Sequence, residues 1–199
     1  NVIGYNMFYD SETLEKIILP NNITTIESYA FGYCSNLNDV VMFGNVKTIG
    51  EYAFRWCNLN QIVIPEGVET IGYFAFGGIR NLKSVTIPKS VTRIEDEAFS
   101  GSGSGELNVY IEDLYKFMKA LYTDSSGPYF PNYRLFLNNN EVNDLVIPDG
   151  IIKVPNLAYC LSLTSVTLSD GDYFSGAGTF FGCENLKQAK LSDSCTNIL

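Results

Sequence analysis

The chain holds 199 residues, 46% of them apolar, with 13 Lys and Arg against 22 Asp and Glu for a net charge of −9. That apolar share excludes disorder and a collagen helix, and phosphate backbones and anionic membrane surfaces would repel the charge, so no nucleic acid partner is expected. Histidine is absent, which removes Ser-His-Asp and Cys-His catalysis, imidazole zinc sites and histidine-based pH switches.

No apolar run approaches the roughly 20 residues that span a bilayer, so no membrane insertion is expected of this segment. Asn1 opens it without a basic region or a cleavage pattern, and a piece of a longer chain is expected. Internal repeats organise the chain from its first residues onward. Ile3 and Phe8 lie 23 residues before Ile26 and Phe31, which places Asn1 inside a repeat. The first full unit runs Leu14, Ile17, Leu19-Pro20, Ile23, Ile26, Ala30-Phe31 and Cys34. Its pattern returns from Leu37, Leu59 and Leu82, a period of 22 or 23 residues. Leu-x-x-Val-x-Ile puts alternate residues on one face of a short strand, and the Pro after it stops the ladder. Ala beside Phe leaves room for the ring to insert between coils. One unit cannot bury its apolar face alone, whereas stacked units form a continuous core.

Residues 106–141 break the period. A strand is predicted at Val109–Ile111, then a helix capped by Asp113, whose Leu114, Phe117, Met118 and Leu121 share one face. Turn residues 123–128 end it. Tyr133–Leu137 reads as a strand with Phe136 pointing inward, and Asn138–Asn140 as the turn into the next repeat. The template resumes at Val142, Leu145 and Ile147-Pro148, again at Leu163, and incompletely at Leu186. Ser169–Gly176 replace part of one unit, so the coil is expected to bulge over 170–178.

The architecture expected is a single β-rich solenoid domain over 1–199, cut inside repeats at both ends. It would carry one parallel sheet of about seven to eight short strands and one short helix in the irregular insert 106–141.

Candidate chemistry is sparse. Cys34 and Cys57, like Cys160 and Cys183, lie 23 apart at one repeat position, where stacked side chains point the same way, so free, buried thiols are expected rather than disulfides or zinc. Cys195 falls outside that position. Glu95-Asp96-Glu97 and Asp170-Gly171-Asp172 read as solvated turns, and Gly101–Gly105 as a flexible loop without the Lys-Ser/Thr of a phosphate cradle. Asn22-Ile23-Thr24 is a glycosylation sequon, meaningful only in a eukaryotic secretory pathway. No catalytic residue, cofactor or metal site is expected.

The register gives an outward, concave column of Ile18, Val41, Val63, Thr86, Tyr110, Val146, Thr167 and Lys190. Exposed β-branched residues suit any sheet, yet apolar exposure across neighbouring strands is also a docking strip. Residues 107–141 hold eight of the 27 aromatics. Two of them, Tyr110 in the outward column and Tyr115 off the helix's apolar face, are predicted to offer rings to solvent. The candidate ligand surface is therefore Ile18, Val41, Val63, Thr86, Tyr110 and Tyr115.

The units LNQIVIPEGVETIGYFAFGG (59–78) and LKSVTIPKSVTRIEDEAFSG (82–101) closely resemble leucine-rich repeats of the BspA-like, or Treponema pallidum, type. The resemblance implies a leucine-rich-repeat solenoid from a bacterial cell-surface or secreted protein, in a family several of whose members are implicated in adhesion to host matrix proteins or to other bacteria. The expected function is a non-enzymatic, adhesin-like protein-binding module whose partner is a host or bacterial surface protein, and a monomer is expected. A passive spacer projecting another domain and a carbohydrate-binding module, with a glycan as partner, are the alternatives.

Overall fold

The computed structural model describes residues 1–122, 127–168 and 178–193. In chain order its strands are β1 (Val2–Ile3), β2 (Lys16–Ile18), β3 (Thr25–Ile26), β4 (Asp39–Val41), β5 (Thr48–Ile49), β6 (Gln61–Val63), β7 (Thr70–Ile71), β8 (Ser84–Ile87), β9 (Arg93–Ile94) and β10 (Leu107–Ile111). Helix α1 (Leu114–Ala120) comes next, then β11 (Tyr133–Leu137), β12 (Asn140–Glu141), β13 (Asp144–Val146), β14 (Ser165–Thr167) and β15 (Gln188–Lys190).

These elements wind a β-solenoid of about eight coils, as the repeats predict. The Leu-x-x-Val-x-Ile strands pair in parallel with the repeat register kept, Ile62 beside Val85 beside Val109 beside Leu135. Their hydrogen-bonded ladder comes in three stretches: β2–β4, then β6–β8–β10–β11 with β12 at its edge, then β13–β14–β15. The Val-x-x-Ile section adds a second parallel sheet, β1–β3–β5–β7–β9, of two-residue strands. Each of these directs one Ile inward, and Ile26, Ile49, Ile71 and Ile94 are all fully buried.

Within the core the phenylalanines of Ala-Phe, with Phe8 and Phe130 at the ends, form a column. Phe8, Phe31, Phe54, Phe76, Phe99 and Phe130 stack one on the next with ring centroids 4.9 to 5.5 Å apart. That spacing matches the roughly 4.8 Å separation of adjacent strands, which leaves each ring in contact with the ring of the coil above and below. The insert joins this core: β10 pairs with β8, and Phe130 closes the ring column.

Helix α1 forms as the spacing predicts. The Asp113 carboxylate accepts from the Lys116 N–H, and Phe117, Met118 and Leu121 are buried. Downstream, two expectations are corrected. Asn138 and Asn139 both adopt positive φ (50° and 64°), the twist of a tight hairpin, so β12 folds back antiparallel on β11 before the next repeat begins. Phe136 does not point inward. Tyr133 and Leu135 take the buried positions, which sends Phe136 outward beside Tyr110. The bulge expected over 170–178 falls almost wholly outside the described residues.

Gly101–Gly105 is a loop, but it is pinned at one residue. Ser102 is fully buried; its hydroxyl donates to the Phe76 carbonyl (2.6 Å) and accepts from the Ile79 N–H (3.0 Å). It stands three residues after Phe99, where Cys34 follows Phe31 and Cys57 follows Phe54. Those thiols likewise donate to the Phe carbonyl of the preceding coil, Cys34 to Phe8 and Cys57 to Phe31. In these three coils the position holds a small buried donor, Cys or Ser, whereas the coil of Phe76 places the fully buried Ile79 there.

Candidate functional site

Four strands build the outward face. Residues i and i+2 of a strand share a face, so the inward Val85, Val109 and Leu135 force Thr86, Tyr110 and Phe136 to the other side. Val63, Thr86, Tyr110 and Phe136 lie directly opposite one another in register, forming one row across β6, β8, β10 and β11. Val63 is 61% exposed, and the other three are half-buried. Tyr110 and Phe136 stack with centroids 4.8 Å apart and planes 25° apart, so the two rings form a single rigid platform.

A polar row runs alongside. Gln61, Ser84, Asn108 and Arg134 face each other across the same strands. The Arg134 guanidinium is held by Glu106 (2.5 Å) on one side and Glu141 (2.7 Å) on the other. The hydrogen bond to Arg134 holds the Glu106 carboxyl below its usual range. The platform is thus bordered by a fixed cation with flanking carboxylates, a rim that supplies orientation.

Of the sequence-predicted candidates, Val63, Thr86 and Tyr110 are brought together. Ile18 and Val41 sit opposite each other in the separate pair β2–β4, Ile18 exposed and Val41 half-buried. Tyr115 is 40% exposed but lies on α1, outside the strand row, with the Lys119 ammonium 6.0 Å from its ring centroid. Phe136 is the member that sequence reasoning missed; the in-register pairing of Tyr110 with Phe136 identifies it only once β11 is placed.

A second feature escaped the sequence. Five successive coils turn through two left-handed residues four apart: Asn6 and Asp10, Tyr29 and Tyr33, Tyr52 and Trp56, Phe74 and Gly78, Glu97 and Gly101. Bulky side chains in this conformation cost about 1–2 kcal/mol each, yet five of these positions are aromatic. Ring contacts between coils offset the strain, with Tyr29 on Tyr52 at 4.6 Å and the Arg55 guanidinium 5.1 to 5.4 Å from the rings of Phe74, Tyr52 and Tyr33. Burial pushes the Tyr29 and Tyr52 phenols up, with neighbouring phenols adding to it. Stacked on each other, Tyr29 and Tyr52 join successive coils. The signal was present in the aromatic residue preceding Ala30, Ala53 and Ala75.

The thiols of Cys34, Cys57, Cys160 and Cys183 are free and buried, as expected from their stacking, and Cys195 lies outside the described residues. Burial pushes Cys57 well above the ordinary thiol range and Cys183 up to about 11. Only the thiolate reacts at an appreciable rate, so native protein at neutral pH is expected to label slowly with iodoacetamide at all four and quickly once unfolded. Rapid native labelling would contradict the buried placement. The raised values also set a direction with pH. Above about 9 the unfolded thiols lose protons that the native ones keep, so Cys183 contributes stability that is present below that pH and lost as pH rises toward 11.

The acidic run Glu95–Glu97 is partly engaged: the Glu95 carboxylate accepts the Tyr73 N–H (3.0 Å) and that of Asp96 the Gly127 N–H (2.8 Å). These bonds tie adjacent coils. Asp170 and Asp172 lie outside the described residues. Among the described residues, no group of three or more Cys, Asp or Glu is placed to hold a metal ion, and no helix is long and apolar enough to cross a membrane.

With parallel strands of a 22- or 23-residue period, a column of stacked Phe rings and a Cys or Ser side chain that donates to the Phe carbonyl of the preceding coil, the molecule is a leucine-rich-repeat solenoid. The family profile of the BspA type leucine-rich repeat region matches in six copies over residues 1–127 and 132–199. The chain belongs to that family. Among solved structures, it is similar to a leucine-rich repeat protein from Bacteroides ovatus, with 24% identity and a TM-score of 0.52 over 98% of this chain and 65% of that one. A leucine rich cell surface protein from Faecalibacterium prausnitzii (21% identity, TM-score 0.44) covers 98% of this chain and 66% of its own. A leucine-rich repeat protein from Eubacterium ventriosum (18% identity, TM-score 0.46) covers 100% of this chain and 76% of its own. This chain therefore spans slightly less than two thirds of the first two. Comparison with the curated proteins finds no match.

Proposed function

We propose that the chain is a non-enzymatic binding module of a cell-surface or secreted bacterial protein, and that it holds a protein ligand on the outward strand face. The observation that supports this reading most is the row Val63–Thr86–Tyr110–Phe136, in which an exposed apolar residue leads onto a stacked aromatic platform beside the Arg134 ion pairs. Exposed aromatic anchors within a polar rim have the anatomy of an interface core. The placement at the cell surface rests on the family alone.

The double variant Tyr110→Ala, Val63→Ser tests it, assayed by surface binding against extracellular-matrix proteins and glycans. Loss of two interface anchors is expected to weaken a protein ligand by at least about tenfold, or some 1.4 kcal/mol. A bound ligand whose affinity the folded variant leaves unchanged places the site elsewhere. If no ligand binds either form, the spacer reading is favoured.

A further inference from the structure

Beside α1, away from the strand row, the coil after the hairpin packs Ile151, Ile152 and Lys153 against the helix's last turn. Between them lies a groove of about 470 Å³ lined by Met118, Lys119, Tyr122, Ile151, Ile152 and Lys153. Met118 and Ile151 are buried and make its floor, while Ile152 is 68% and Tyr122 50% exposed at its rim. The Lys153 ammonium rests 4.9 Å from the Tyr122 ring centroid.

Two properties define what fits. Among the described residues the floor is apolar, and the two charges on the lining are both positive in a chain whose net charge is −9. Lys119 and Lys153 form no ion pair among the described residues, and each rides on a tyrosine ring. An ammonium over an exposed ring is held by only about 0.5–1 kcal/mol, so an incoming anion displaces that contact readily. Lys119 lies in the last turn of α1, where the carbonyl end of the helix takes up part of its charge. Lys153 is the freer of the two.

We propose that this groove binds a small amphipathic carboxylate, with its apolar body over Met118, Ile151 and Ile152 and its carboxylate at Lys153. The volume falls within the roughly 300–1,000 Å³ of small-molecule sites. The site is independent of the strand-face reading.

The probe is 4-phenylbutyrate, with the neutral 4-phenylbutanol as its matched control, titrated by calorimetry and by NMR. Saturable one-to-one binding is expected. It should weaken at least about fivefold for the alcohol and for Lys153→Gln, and at least about tenfold for Ile152→Asp, while Lys47→Gln leaves it unchanged. Circular dichroism confirms that each surface variant remains folded. Three results overturn the proposal: no saturation up to about 10 mM, equal affinity for acid and alcohol, or an unchanged affinity in Lys153→Gln. Loss of protein-ligand binding in the Tyr110→Ala, Val63→Ser variant bears only on the strand face, so the two readings fail separately.

Discussion

Phe76→Ala is expected to cost about 3–5 kcal/mol, a large share of the stability of a chain this size. Phe76 is fully buried in the middle of the ring column, 5.4 Å from Phe54 and 5.5 Å from Phe99. Truncation removes both stacking contacts and leaves a cavity that the coils above and below cannot close, because their own strands fix the spacing. A solenoid is stabilised by each coil's interfaces with its neighbours, so the defect weakens two interfaces at once. Urea denaturation followed by circular dichroism is the measurement. A midpoint equal to that of the parent chain would mean that the ring column is wrongly placed. Phe76→Leu, which retains most of the volume, should lose no more than about 1.5 kcal/mol.

Gly67→Ala should also destabilise, by about 2–4 kcal/mol, although the residue lies in a turn at the surface. Gly67 has φ +109°, a conformation that L side chains rarely adopt. A Cβ there would lie 2.3 Å from the Gly44 carbonyl oxygen, with backbone on the other side of the contact. On its other face the Gly67 N–H donates to the Ser90 hydroxyl (2.9 Å), which in turn donates to the Val68 carbonyl (2.8 Å). Moving the turn to relieve the clash would break that pair of bonds. Since the substitution usually stabilises where the backbone allows it, a neutral or raised urea midpoint would show that the turn relaxes freely.

The coil was legible because the repeats carry it. Leu59, Ile62, Ile64, Val68, Ile71 and Phe76 recur at fixed offsets and are all buried, and spacing alone placed the face of α1. The two-residue strands of the second sheet were not legible, since two residues cannot display an alternation. Phe136 was misplaced for a related reason. Inside the insert no repeat fixes the register, and the Asn138–Asn139 hairpin, not the 23-residue period, sets the phase of β11. Ser102 was hidden by its glycine neighbours, which suggest a loop until the Cys-position alignment reveals a buried donor. The aromatic left-handed turns and the groove at Lys153 depend on backbone conformation and on contacts between coils, and a linear pattern of side chains encodes neither.

In the candidate site, the sequence supplied Val63, Thr86 and Tyr110 because the repeat register assigns them a face. It could not supply the Tyr110–Phe136 stack or the Glu106–Arg134–Glu141 ion pairs, which require β10 and β11 to be neighbours in a stretch that breaks the period. Those additions turn a row of exposed residues into a shaped surface.

Hydrogen–deuterium exchange with and without a bound protein ligand tests the central claim most directly. Docking on the strand face should slow exchange in the peptides covering 61–63, 84–87, 107–111 and 133–137 and leave the turns at 29–33 and 52–56 unaltered. Protection confined to those turns, with the four strands unchanged, would contradict it.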